Sequence, residues 1–123
     1  MKLLISPPHI FCIFASLLAG PADATHQNPP APWEITAYGT IERIATGWNS
    51  DSFLITTSAP AVNPAHCPTT DGYAINISHP GYKTHYQAAM LAFTLGKPAS
   101  VVVSGTECWE GRPKIWGIFM LKQ

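Results

Sequence analysis

Apolar and polar residues alternate along much of this chain, and where they do the period is that of a β-strand. In WEITAYGTIERIATGWNS, Ile35, Ala37, Ile41 and Ala45 alternate imperfectly with Glu34, Thr36, Thr40 and Glu42. The pattern predicts one or two strands, with Gly39 as a bulge or bend. Ile41, Ile44, Ala45 and Trp48 also share a helical face, but the β-branched residues and glycines favour strand. WNSDS reads as a turn, because Asn49 and Asp51 can bond nearby backbone amides. FLITTS is a second strand, and the proline-dense APAVNPAHCPTTDG is a loop. YAINIS returns as a strand that sets Tyr73, Ile75 and Ile77 on one face.

The period then lengthens. SHPGYKTHYQAAMLAFTLGKP predicts one helix over about 80–95. Tyr82, Tyr86, Ala89, Met90 and Phe93 form its apolar stripe, with Ser78 as cap and Pro80 in the first turn. Gly96 and Pro98 end it. ASVVVSG is a buried type of strand, and KIWGIFMLK closes the chain, with Gly117 as a bend or close contact. The predicted order is β-β-β-α-β-β: a mainly β, α+β domain with one helix.

The first residues change the picture of where the chain works. Lys2 precedes an apolar run from Ile10 to Ala19, and Ala22-Asp23-Ala24 has the small-x-small form of a signal-peptidase site. Residues 1–24 are therefore expected to be a signal peptide, 25–33 an extended proline-rich leader, and 34–123 a single domain, secreted or periplasmic. The apolar run is shorter than the ~20 residues of a membrane span. Cys12 would leave with the signal, and Cys67 and Cys108 would meet an oxidising compartment, where an internal bridge is the expected state. Two free thiols or an intermolecular bond are the alternatives. Trp109 is expected to pack over or beside that bridge.

Charge excludes some partners. Seven basic residues balance seven acidic ones, so there is no clustered positive surface for nucleic acid and no polybasic patch for anionic lipid. Candidate chemistry is thin. His66, His79 and His85 lack the spacing of a zinc site, and no metal is expected. Ser104, His85 and Asp71 can be assembled into a triad only by choosing freely among residues, and no GxSxG elbow is present. Glu107 and Glu110 sit three apart in a turn and read equally well as solvated surface. HPGY offers only an ordinary helix N-terminus to an anion. With no Gly-rich strand–helix loop and no CxxC, no cofactor is expected. The chain reads as non-enzymatic, with a small hydrolase the least favoured alternative.

Recognition remains. Trp116, Tyr73, Tyr82 and Tyr86 are assigned to the core by their strand and helix faces. Trp48, beside Asn49 and Asp51, is the leading exposed aromatic for a ligand, followed by Tyr38 and Thr40. A protein partner would instead be met by a protruding loop, either PAVNPAHCPTT or GTECWEGRPK with Trp109, Glu110 and Arg112, as in a periplasmic inhibitor or immunity-type protein.

The stretches IERIATGWNSDSFLI and YQAAMLAFTLGKPASVVVSG, then a cysteine-bearing turn and a closing strand, resemble the receptor-binding B subunits of bacterial AB5 toxins, in particular the subtilase-cytotoxin type. The resemblance spans most of residues 34–121. It implies a small closed barrel of the oligosaccharide-binding (OB) fold, assembled as a ring pentamer that binds host glycans. A hydroxyl residue of the first strand helps hold a terminal sialic acid in that type, and the nearest positions here are Tyr38 to Thr40. The single cysteine pair, with Cys67 in a loop before the third strand, departs from the family arrangement.

Overall fold

The computed structural model describes residues 31–47 and 50–122. The expected signal peptide, most of the leader, Cys12, Trp48 and Asn49 lie outside the described residues. Six strands and one helix follow in the order β1 (Trp33–Ile35), β2 (Ile41–Thr46), β3 (Ser52–Thr57), β4 (Tyr73–Asn76), α1 (Tyr82–Leu95), β5 (Ala99–Trp109) and β6 (Arg112–Met120). The mainly β chain with one helix is as the periodicity predicts. β1 already begins at Trp33, the last residue assigned to the leader.

The strands form one sheet in the order β1-β5-β6-β4-β3-β2. All neighbours are antiparallel except β4 and β6, which run parallel through the pair Ala74 and Lys114. The sheet is open. β1 and β2 are its two edges, and no ladder joins them among the described residues. This corrects the closed OB barrel implied by the toxin B-subunit resemblance. The reason lies in Thr36–Thr40, which sets β1 and β2 end to end along the chain, so neither lies beside the other. Gly39 exchanges backbone hydrogen bonds with Ala99 of β5, and the Ser58 N–H donates to the Thr40 carbonyl. A Cβ on Gly39 would stand 2.5 Å from the Ala59 nitrogen, so this corner takes only glycine. The ring pentamer and the sugar pocket rested on that resemblance.

The core lies between the inner face of the sheet and α1. Phe53, Ile55, Tyr73 and Ile75 fill it from β3 and β4, and Val101, Val103 and Ile115 from β5 and β6. Phe53 sits between the rings of Tyr82 and Tyr86, with centroids 5.5 and 5.4 Å away. The small residues Ala89 and Ala92 let the helix approach closely, and both are fully buried. The buried line of α1 is thereby rotated from the predicted stripe: Ala92 takes the place assigned to Phe93, which is 43% exposed. Ile77 is likewise 52% exposed, because β4 stops at Asn76 before the alternation can carry it inward.

The helix start also differs from expectation. Gly81 is the N-cap and no side chain caps it. Ser78 instead donates to the Asn76 side chain at 2.6 Å, and the Gly81 N–H donates to His79 Nδ1. The end is as predicted. Gly96 adopts φ 61°, and Lys97 N–H reaches back to the Ala92 carbonyl, closing a Schellman turn.

Cys67 and Cys108 are bonded. Cys108 lies within β5 and not in the turn, because β5 runs on to Trp109. The turn is the pair Glu110-Gly111, with φ of 45° and 77°. Two successive positive φ values define a type I′ hairpin, whose twist matches the flanking strands. Among the described residues no helix is long and apolar enough to cross a membrane.

Candidate functional site

The outward side chains of β2, β3 and β4 are small or aliphatic, and they make a floor. Register places Ala45 beside Leu54 and Leu54 beside Ala74, so these three form one row across the sheet. Arg43 stands one step along β2, opposite Thr56, where the register shifts at a bulge. The β5–β6 hairpin rises at the other side of the row. Trp109, Glu110 and Arg112 turn from it toward the floor, and Asp71 joins them from the segment before β4. The result is a cleft of about 630 Å³, within the ~300–1,000 Å³ range of ligand sites.

Three ties fix the hairpin wall. The disulfide anchors Cys108 to the loop at Cys67. The Thr69 N–H donates to the Gly111 carbonyl at 2.9 Å. Arg112 grips Asp71 with a two-point fork, Nε to Oδ1 at 2.6 Å and Nη2 to Oδ2 at 3.0 Å. The loop that supplies these ties is itself ordered by Asn63, whose side chain accepts from the Cys67 N–H and donates to the Cys67 carbonyl. The Val62 N–H donates to the buried Tyr73 hydroxyl, which closes the loop over the core.

The charges follow from that fork. The Arg112 guanidinium holds the Asp71 carboxyl below its ordinary value; burial opposes this, and the charge of Arg43 adds a little to the depression. Asp71 in turn raises Arg112. Arg112 is therefore neutralised within the wall, while Arg43 has no ion-pair partner among the described residues. Trp109 is half-buried, and its indole Nε1 is shielded from solvent without an acceptor. Successive residues of a strand point to opposite faces, so Trp109 faces the cleft while Cys108 faces the loop.

No histidine, cysteine or lysine is among the described residues that line the cleft. It offers an aliphatic floor, one indole, an internally paired Asp71–Arg112 and a guanidinium, that of Arg43, without an ion-pair partner among the described residues. The three residues expected to meet a protein partner, Trp109, Glu110 and Arg112, all line it. Of those expected to meet a ligand, Tyr38, Thr40 and Asp51 do not. Tyr38 is exposed at the Thr36–Thr40 corner, and Thr40 is engaged there with Ser58. Asp51 accepts a 2.6 Å hydrogen bond from Tyr82. That bond and burial push the Tyr82 hydroxyl up to about 12, burial contributing more. Trp48 and Asn49 lie outside the described residues. The sequence reading missed Arg43, Leu54 and Ala74. Their signal was present as the second, outward phase of strands whose inward phase was read as core.

The other candidate chemistries are dispersed. Ser104 is fully buried, its Oγ accepting from the Thr106 and Glu107 amides. Glu107 is paired with Lys114 at 3.0 Å and receives the Trp116 indole N–H, so it forms no carboxylate pair with Glu110. His66 is exposed in the proline-rich loop at φ 53°. His79 and His85 stack at 5.5 Å beside the start of α1. Among the described residues no three potential ligands gather to hold a metal ion. No family model matches the chain, and no curated protein and no solved structure gives a significant match.

Proposed function

We propose that this chain is an exported, non-enzymatic binding protein whose cleft receives a short segment of a protein partner: an apolar side chain on the Leu54 floor and a nearby carboxylate on Arg43. The observation that carries this reading is the cleft itself, with a wall held by a disulfide, a backbone hydrogen bond and a forked ion pair. Walls fixed before binding lose little entropy when a ligand arrives, and that is where affinity is gained. The cross-link also fits an oxidising compartment outside the cytosol.

The inhibitor reading pictured a protruding loop entering a partner, either PAVNPAHCPTT or the GTECWEGRPK turn. The tip of that turn is instead tied to Thr69 and Asp71 as the wall of the chain's own cleft, which favours receiving over inserting.

A random peptide library displayed against the immobilised chain tests the proposal. The expected result is enrichment of segments with a large apolar residue near an Asp or Glu. Enriched peptides should lose at least tenfold in affinity for Leu54→Arg and a smaller factor for Arg43→Gln, an exposed single charge contact being worth about 1 kcal/mol. Failure to enrich any segment, or equal binding to Leu54→Arg, overturns it.

A further inference from the structure

The two open edges of the sheet are not alike. β2 carries Glu42 and Arg43 and is bent by its bulge, features that discourage a strand from pairing with another chain. β1 has no bulge. The Thr36 N–H donates to the Val101 carbonyl and the Gly105 N–H to the Pro32 carbonyl. The alternation of an antiparallel ladder therefore turns the backbone groups of Trp33 and Ile35 toward the open side.

The same strand adjoins an apolar face. Ile35 lies beside Val102 of β5, which lies beside Gly117 of β6, while Trp33 and Phe119 pair with the small residues Ser104 and Ser100. Trp33, Ile35 and Phe119 are 45%, 42% and 51% exposed. Half of each aromatic surface, from side chains of roughly 150–250 Å², together with Ile35 gives on the order of 300 Å² of apolar surface. Patches of this size are commonly functional, and it is about a third of the ~800 Å² per partner that a standard interface covers. The edge backbone and flanking residues supply the remainder.

We propose that β1 pairs with β1 of a second copy of this chain, antiparallel across a two-fold axis, so that two sheets join and the Trp33–Ile35–Phe119 face is shared. Antiparallel edge pairing is self-complementary under two-fold symmetry. The chain's zero formal net charge sets no long-range barrier between copies. Glu34 selects the register: an axis at Glu34 would set like charges opposite each other, which destabilises a ladder, whereas an axis at Trp33 or Ile35 does not. The contact leaves the cleft free, so it stands apart from the binding proposal.

Light scattering on the purified chain tests this. The expected mass is twice that of the monomer, falling twofold in Ile35→Lys and in Trp33→Lys, with circular dichroism unchanged because both side chains are already half in solvent. In a Cys12→Ser background, Trp33→Cys or Ile35→Cys should cross-link to itself on mild oxidation, since Cys67 and Cys108 are already bonded. A monomer up to millimolar concentration, a dimer that survives both lysine variants, or the absence of a cross-link at both positions overturns the proposal.

Discussion

Single residues carry the two positive-φ positions of the hairpin, and they make opposite predictions. At Gly111 the φ of 77° would strain any side chain, and an added Cβ would stand 3.3 Å from Pro68. Gly111→Ala should destabilise by about 1–2 kcal/mol, seen as a lower urea midpoint with an unchanged slope. Glu110 already bears such strain at φ 45°. Type I′ turns favour Asn-Gly, so Glu110→Asn should stabilise by about 0.5–1 kcal/mol. In the core, Phe53 is the ring that both tyrosines of α1 touch. Phe53→Ala should cost about 3–5 kcal/mol, because the rigid sheet behind it cannot close the cavity. Inward positions of this kind were legible in the sequence, since a residue such as Phe53 or Ile55 states its burial by its own chemistry. Positions such as Ala45 and Ala74 were not. A small residue on a strand is equally compatible with core, surface or the floor of a cleft, and only the neighbouring strands decide.

At the scale of elements, strand periodicity and glycine punctuation located β2 to β6 and α1. What they could not supply was the relation between β1 and β2. Whether Thr36–Thr40 is a bend within one ladder or a corner between two edges depends on Ala99 and Ser58, residues roughly 20 to 60 positions away in the chain. The cleft wall has the same origin, since Asp71 and Arg112 are 41 positions apart. The disulfide was legible, because compartment and an even count left few alternatives, but its place was not: it joins an irregular loop to a hairpin and so holds one wall of the cleft. Replacing both cysteines by serine should cost about 4 kcal/mol by the chain-entropy relation for a loop of this length. It should also act locally. Hydrogen exchange at Thr69, Cys108 and Gly111 should accelerate well beyond the global change, while the amides of β3 and β4 follow global unfolding. Equal acceleration throughout would mean that the bridge supports the whole fold and not the wall.

For the molecule as a whole, two sets of titrating groups shape stability against pH, and they act in separate windows. His79 and His85 lie where the start of α1 meets β6, near Lys114 and Glu107 and beside the Trp116 carbonyl. Burial is the larger cause for both in holding them below the ordinary histidine value of 6.5; Lys114 adds to this at His79, and His79 adds to it at His85. The unfolded chain therefore takes up protons before the folded one does. Their contribution is full above 6.5 and is lost as pH falls through 6.5 toward the depressed folded values. Asp71 and Glu107 are the opposite case in charge. Hydrogen bonds from Arg112 and Lys114 are the first cause in lowering them from 3.8 and 4.5. Their contribution is present above those values and disappears as pH falls through the lower folded values. Denaturant midpoints measured from neutral to acid pH should thus decline in two stages. His85→Gln should flatten the first without touching the second, and Asp71→Asn should reduce the second alone. Because both carboxylates are about half exposed, added salt should shrink the acid stage, whereas the histidine stage, which comes mainly from burial, should persist. A decline confined to the acid range in the native chain would show that the histidine pair is solvated in both states and contributes nothing to the junction of helix and sheet.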